Sequence, residues 1–285
     1  MKHMKTWDEL TIQDNYLFQK VMRLDVSLCR RLLERILGIT IRKIDFPQTE
    51  KTIDTDFNAK SVRLDVYVED DSGRVFDIEM QAADMAEEDL FLRTRYYQSM
   101  IDQGILEKGQ VYSDLRESYI IFICAFDPFG LGLRRYTFRN RCDERPALAL
   151  PDRAVRLFLN AKGRIGDETS DIRGFLDYIN TNTATDGFAA ELAAAVKQVK
   201  TDGVEKDTYM SLAMDIQRHI EKEKENWWAE GKAEGLAEGK AEGLAEGKAE
   251  GLAEGKAEIA LAMLQMNMSV EQIAKLTGLS VTQVQ

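Results

Sequence analysis

Two neighbouring segments of the sequence carry polar side chains at every second position, as β-strands with one apolar face do. Residues 62–70 read VRLDVYVED and residues 74–81 read RVFDIEMQ, which places Asp65, Glu79 and Gln81 on the polar faces. Converging carboxylate oxygens suit Mg²⁺, which is commonly held by one or two carboxylates together with waters and phosphate oxygens. The chemistry to consider is therefore that of a divalent-cation site.

The turn between these segments predicts which residues face each other. Residues 71–73, Asp-Ser-Gly, have the length and the final glycine of a three-residue hairpin loop. Opposed residues share a face, so this loop places Asp65 opposite Glu79 and Arg63 opposite Gln81. Like charges about 5 Å apart destabilise a sheet unless a cation neutralises them. We therefore expect Asp65 and Glu79 to bind Mg²⁺, or Mn²⁺ in its place, with Gln81 orienting a water molecule.

A purely structural interpretation of the same carboxylates stays open. Asp65 and Glu79 can lie on an exposed face and take ion-pair partners among Arg63, Arg93 and Arg95. The register fixed by the turn, and the absence of His and Cys nearby, favour the cation site.

The surrounding elements predict an α/β fold. An amphipathic helix begins at Asp14 and a second helix covers residues 26–37. Strands are expected at 41–46, 62–70, 74–81 and 119–126, with a long helix at 88–108 before the last of them. This order is typical of an α/β layer with a mixed sheet. The fully apolar strand at 119–126 should lie in the centre of the sheet.

Several separated motifs resemble those of a known family. They are DNYLF at 14–18, RLDVYVED at 63–70, DIEMQ at 77–81, RYYQS at 95–99, residues 109–112 and IFICAFDPF at 121–129. Together they resemble the Rpn family of recombination-promoting nucleases, also described as transposases, within the PD-(D/E)XK nuclease superfamily. The resemblance implies a restriction-endonuclease-like core of helix, mixed sheet and helix, followed by a helical C-terminal region. It also implies a Mg²⁺-dependent endonuclease that cuts DNA and promotes recombination.

The resemblance assigns the metal to Asp65 and Glu79 and places Gln81 where the superfamily often has Lys. Leu64 likewise stands where Pro is frequent. Glutamine cannot act as a cation or a general acid, which puts the rate of hydrolysis in question more than metal binding. An alternative is a catalytically weak or inactive nuclease-like module that associates with DNA or assembles through its C-terminal helices. Strand transfer by a true transposase has no support in a second recognisable site.

Other reaction classes have no support in the sequence. Neither a GxxxxGK[ST] loop nor a GxGxxG motif after a strand is present, which argues against nucleotide-driven translocation and dinucleotide redox chemistry. His3 and His219 lack the companions of a nucleophilic triad.

The charge distribution indicates where DNA could bind. The net charge is −11, but residues 161–285 account for −8 of it, from 14 basic and 22 acidic residues. Residues 134–156 hold seven arginines and three acids, which predicts a phosphate-facing patch, although a solvated surface has the same composition. The candidate DNA-contacting residues are Arg63, Arg95, Arg134, Arg135, Arg139 and Arg141.

Composition divides the chain into four regions. We expect a nuclease-like domain at 1–150, a helical region at 151–228, a Gly/Ala/Glu/Lys repeat spacer at 229–258 and a small helix-turn-helix-like tail at 259–285. The spacer should form only a marginal helix, because its seven glycines each cost about 1 kcal/mol relative to Ala. The C-terminal helices are candidates for homo-oligomer assembly.

The cellular setting follows from what the sequence lacks. No apolar run approaches the ~20 residues of a membrane helix, and the three cysteines show no paired spacing. We therefore expect a cytoplasmic protein without membrane contact.

Overall fold

The computed structural model describes residues 5–46, 52–53, 62–82, 87–106, 109–166 and 169–284. It forms two compact units, Met1–Ser211 and Leu212–Gln285. The first unit contains the sheet and all the candidate site residues. The four regions inferred from composition stay predictions.

Two amphipathic helices open the first unit. Helix α1 spans Asn15–Leu24 and buries Leu17 and Phe18, and helix α2 spans Val26–Leu37 and ends before Gly38. Both helices are where the hydrophobic periodicity predicts them.

A six-stranded mixed sheet forms the centre of this unit. Its strands are β1 (Ile44–Asp45), β4 (Val66–Asp70), β5 (Val75–Gln81), β6 (Ser118–Cys124), β7 (Arg135–Phe138) and β8 (Ala154–Asn160), in the order β1-β4-β5-β6-β8-β7. Strands β5, β6 and β8 run parallel, and the other neighbours are antiparallel. The fully buried β6 lies near the middle, which confirms the α/β prediction and the central position of the apolar strand.

The hairpin between β4 and β5 has the predicted register. Val66 lies opposite Ile78 and Glu69 opposite Val75, and Gly73 in the loop has a φ of +77°. Glycine adopts this left-handed conformation without the steric cost that other residues incur.

The predicted single strand at 62–70 was wrong. Strand β3 (Val62–Arg63) pairs with β2 (Thr52–Ile53) in a separate two-stranded sheet, with Arg63 opposite Thr52 and not opposite Gln81. The predicted strand at 41–46 is also reduced to β1. Strands β7 and β8 were not predicted, and they extend the main sheet beyond residue 150 to Asn160.

Helix α3 (Glu87–Ile105) covers the polar face of β5. Asp77, Glu79 and Gln81 are therefore as buried as their apolar neighbours. Tyr97 and Met100 of α3 belong to one buried cluster with residues of β6 and β8 on the same face. Burial of a carboxylate is costly unless it is paired, so this face needs internal partners.

Two further helices and the start of a third complete the first unit. They are α4 (Ser170–Thr181), α5 (Gly187–Thr201) and α6 (Gly203–Gln265). Tyr209 of α6 packs against the rings of Trp7 and Tyr16, with centroids 5.7 and 5.2 Å away, and donates its hydroxyl to the carbonyl of Lys5. The first residues of α6 are thus tied to the N-terminus.

The repeat continues α6 as helix through all seven of its glycines, which is more regular than the marginal helix expected. Helix α7 (Val270–Thr277) begins at a capping box of Ser269 and Gln272 and ends before Gly278, and α8 spans Val281–Val284. Ala260, Ile273 and Val284 form a small core between these helices. Within the described residues, no helix combines the length and apolar character needed to cross a membrane.

Candidate active site

Asp65 and Glu79 lie side by side at the point where β4 begins. The backbone N–H of Asp65 donates to Glu79 Oε1 at 2.9 Å, and the N–H of Met80 donates to Asp65 Oδ2 at 3.2 Å. These two bonds use backbone donors that a regular ladder would pair with carbonyl oxygens. They explain why the strand pairing stops at Val66, and they hold the two carboxylates together as the turn predicted.

Helix α1 supplies the second support of Asp65. Asn15 Nδ2 and Gln19 Nε2 donate to Asp65 Oδ1 at 3.3 and 2.9 Å. These residues are four apart, so their side chains lie on one face of the helix. Neither residue was among the predicted site residues, although two amides at that spacing on the polar side of an amphipathic helix were a usable signal.

Arg93 of α3 neutralises the other end of the site. Its Nη2 lies 3.3 Å from Glu79 Oε2 and donates to the Tyr97 hydroxyl at 2.9 Å, while its Nη1 donates to Gln81 Oε1 at 2.9 Å. The guanidinium also lies over the rings of Tyr97 and Phe122, 5.2 and 5.5 Å from their centroids. Arg93, which was among the ion-pair partners considered from the sequence, thus contacts Glu79.

Asp77 is a third carboxyl group in this cluster, and the sequence analysis gave it no role. It is fully buried, and neither of its oxygens accepts a hydrogen bond from a donor among the described residues. Burial, followed by the charges of Glu79 and Asp65, raises the pKa of Asp77 well above its usual range. A neutral carboxyl group does not need the several hydrogen-bond donors that a buried carboxylate requires, which fits the lack of donors around Asp77 among the described residues.

The pKa of Glu79 is also raised, to about 8, by burial and by the charge of Asp65. The Asp65 N–H and Arg93 act in the opposite direction. Glu79 is 1% exposed and Asp65 6% exposed, so the two carboxylates are screened from solvent. Asp65, Asp77 and Glu79 thus share a buried space with the guanidinium of Arg93, and the raised pKa values of Asp77 and Glu79 lower the negative charge of the cluster.

The donor set suits a hard cation in its chemistry. Asp65, Glu79 and Gln81 offer only oxygen ligands from the carboxylates and the amide, and such ligands are preferred by Mg²⁺. Among the described residues, no three His, Cys, Asp or Glu side chains are arranged to hold a metal ion by themselves. Two protein carboxylates completed by water and a phosphate are a common arrangement for Mg²⁺. Arg93 occupies the cationic position next to Glu79.

The predicted DNA-contacting arginines are distributed over several elements. Arg95 is exposed on α3, and Arg139 is exposed at the end of β7. Arg134 donates to the carbonyl of Gly166 at 3.3 Å, and Arg141 donates to that of Pro146 at 3.1 Å.

The remaining two arginines are Arg135 and Arg63. Arg135 lies in the edge strand β7 and donates to the Thr137 hydroxyl at 3.3 Å. The side chain of Arg63 lies outside the described residues. DNA binding by all six arginines stays a prediction.

Comparison with known proteins agrees with the geometry. Residues 16–131 match the family model of the PD-(D/E)XK nuclease family transposase. This segment contains Asp65, Glu79, Gln81 and Arg93, and it ends before β7. Neither the curated proteins nor the solved structures include a significant match. The match agrees with the resemblance seen in the motifs: residues 16–131 are similar to the PD-(D/E)XK nuclease family transposase model.

Proposed function

We propose that this protein is a metal-dependent DNA endonuclease that hydrolyses phosphodiester bonds and promotes DNA recombination. The observation that carries the proposal is the pair of reciprocal hydrogen bonds between Asp65 and the Glu79–Met80 segment. They hold two buried carboxylates together inside a domain that matches a nuclease family.

Asp65 and Glu79 would hold the metal, Mg²⁺ or Mn²⁺, through their carboxylate oxygens. When bound, a divalent ion supplies Lewis-acid stabilisation of the charge on the phosphoryl group and lowers the pKa of an attacking water.

Asn15 and Gln19 fix the orientation of Asp65, and the Asp65 N–H fixes that of Glu79. Such preorganisation reduces the rearrangement needed when charge develops in the reaction. Arg93 must release Glu79 Oε2 for both carboxylates to serve as ligands. Its guanidinium then becomes available to a phosphate oxygen, for which its planar donors are well suited.

Gln81 acts in this proposal as a positioning residue. Its Oε1 accepts from Arg93, which leaves its Nε2 as the group able to donate to a water or phosphate oxygen. An amide cannot remove a proton from water. Gln81 would therefore orient the water without taking up its proton, and a low turnover is expected.

Plasmid cleavage tests the proposal. Supercoiled DNA is incubated with the full-length protein in Mg²⁺, Mn²⁺ or EDTA, and nicked and linear products are quantified. We expect EDTA to abolish cleavage and Asp65→Ala or Glu79→Ala to lower it at least about 100-fold, equivalent to roughly 3 kcal/mol. Asp45→Ala is a matched control, because Asp45 is exposed and pairs with Lys43. A folded Asp65→Ala protein that cuts like the wild type contradicts the proposal.

The contact of Arg93 with both Glu79 and Gln81 favours a second candidate function. In this alternative the guanidinium occupies the cationic position permanently, and the protein is a nuclease-like DNA-associated module assembled through its C-terminal helices. DNA binding without cleavage in either metal, combined with self-association in sedimentation, supports it.

A further inference from the structure

A cavity of about 480 Å³ opens on the face of the sheet that carries Glu79. It lies between α3 and the strands β7 and β8. Its lining includes four phenylalanines and several cationic or polar residues, among them Phe91, Phe129, Phe138, Phe158, Arg95 and Arg156. This volume falls within the range of about 300–1,000 Å³ that is typical of ligand sites.

The apolar part of the cavity consists of flat ring surfaces. Phe91 and Phe129 stack almost parallel, with centroids 4.8 Å apart and planes inclined by 11°. Phe158 meets Phe129 edge-on at 5.2 Å, and Phe138 lies 5.2 Å from Phe129. Phe138 is 43% exposed, so part of its ring is available for stacking.

The loop that carries Phe129 is held by hydrogen bonds. Asp127 Oδ1 accepts from the N–H of Phe129 at 3.2 Å and from the Tyr136 hydroxyl at 2.9 Å, and its Oδ2 accepts from the N–H of Gly132 at 2.7 Å. These bonds fix the aromatic wall before any ligand arrives, and preformed walls reduce the entropy lost on binding.

The cationic part of the cavity has capacity for an anion. Arg95 is exposed and has no ion pair or hydrogen bond within the described part of the chain. Nε of Arg156 is buried without a hydrogen-bond partner among those residues, although Asp102 is close enough for the two charges to interact. Flat rings beside arginines suit a ligand with a planar aromatic ring and a linked anion. A nucleotide has both, because its base is planar and its phosphate is negatively charged.

The cavity is in register with the candidate active site. Glu79 pairs with Phe122, and Phe122 pairs with Phe158, across three adjacent parallel strands. With strands about 4.8 Å apart, Phe158 lies about 10 Å from Glu79 along the sheet. Arg93 bridges the interval, because its guanidinium touches Glu79 and lies over the ring of Phe122.

We propose that this cavity binds an unpaired nucleobase of the DNA strand close to the bond that is cut. The base stacks on Phe138 and Phe129, and its phosphate lies near Arg95 and Arg156. The inference rests on the proposed function for the identity of the strand. A base within a duplex is stacked between its neighbours and cannot enter a pocket without leaving the helix. The preferred substrate is therefore DNA with single-stranded or unpaired nucleotides.

The test uses full-length protein in EDTA and a fluorescent adenine analogue, 2-aminopurine, whose emission is quenched by stacking. One oligonucleotide places it in a single-nucleotide bulge, and a second places it in a continuous duplex. We expect wild-type protein to quench the bulge further. Phe138→Ala should remove that quenching and weaken bulge binding about tenfold, but not duplex binding. Phe138→Leu retains apolar packing and should lose the quenching with an unchanged melting temperature.

Controls separate this inference from its alternatives. Tyr112→Ala removes an exposed aromatic ring that does not line the cavity, and it should leave bulge binding unchanged. Unaltered quenching in both Phe138 variants overturns the inference. So does displacement of the oligonucleotide by equimolar dAMP, because the cavity would then be a mononucleotide site.

Cleavage of the same oligonucleotides in Mn²⁺ is measured in parallel. Quenching that depends on Phe138 without any cleavage supports the cavity and rejects the nuclease. Cleavage that depends on Asp65 without such quenching rejects the cavity alone.

Discussion

A substitution of Arg93 separates two contributions to stability, that of the arginine's charge and that of a bound metal ion. Arg93→Ala removes the ion pair to Glu79 and the hydrogen bonds to Gln81 and Tyr97. In metal-free protein, Asp65, Asp77 and Glu79 then share a buried space with no cationic partner for Glu79 among the described residues. Stability should fall, because an uncompensated buried charge is among the most costly defects in a protein.

The size of the loss follows from the geometry. Breaking a buried ion pair costs about 3–5 kcal/mol. The Arg93–Glu79 distance of 3.3 Å and the 26% exposure of the arginine side chain place the cost near the lower limit, at about 3 kcal/mol. For a unit of this size, each kcal/mol lowers the melting temperature by about 2–4 °C. We therefore expect a decrease of about 6–12 °C in EDTA.

Thermal melts in EDTA measure the stability lost without Arg93, and melts in Mn²⁺ measure the stability gained from a bound cation. At a concentration 100 times its dissociation constant, a metal stabilises the native state by about 2.7 kcal/mol. Arg93→Ala should gain more from Mn²⁺ than the wild type, since the ion no longer competes with the guanidinium. Arg95→Ala changes an exposed neighbour that has no ion pair within the described part of the chain, and it should melt within about 0.5 kcal/mol of the wild type. Equal melting of Arg93→Ala and wild type in EDTA, or an equal rise with metal, refutes the reasoning.

Three further outcomes are expected. Burial raises the pKa of Glu79 to about 8 from its ordinary 4.5, so the metal-free folded state holds a proton that the unfolded state releases. The free energy of unfolding should thus fall as pH rises from 5 to 8, and urea titrations should show a flatter profile for Glu79→Gln. Gln81→Lys removes the acceptor of Arg93 and adds a like charge, so it should cost about 1–3 kcal/mol in EDTA melts without faster cleavage. A chain cut before Tyr209 should have a lower melting temperature by circular dichroism, because it loses the aromatic contacts of Tyr209 with Trp7 and Tyr16. A chain cut after residue 229 keeps these contacts, and its first unit should melt at the same temperature as in the full-length protein.

The hairpin is the part of the site that local sequence predicts best. Its register depends on three loop residues, the last of which is Gly73, whose φ of +77° agrees with the turn type chosen. The type of a turn depends on neighbouring residues, and the length of the loop then determines which strand residues lie opposite each other. The helices α1 and α2 were predicted for the same reason, since their periodicity is local.

The rest of the site depends on contacts between distant segments. Asn15 and Gln19 reach Asp65 from about fifty positions away, and their spacing on one helix face does not indicate which carboxylate they contact. The alternating pattern places Asp77 on the polar face of a strand, and its burial results from the packing of α3 on that face. The two strands β7 and β8 lie in an arginine-rich segment, where charge obscures the strand pattern.

The break in the strand ladder at Asp65 gives the site built-in reporters. The amide protons of Asp65 and Met80 are bonded to carboxylate oxygens instead of carbonyls. A ligand that binds to those carboxylate oxygens changes the electron density around these two protons. Their chemical shifts and hydrogen-exchange rates therefore report the state of each carboxylate separately, without a label at the site. An NMR titration could follow how Asp65 and Glu79 respond to a cation before a single bond in DNA is cut.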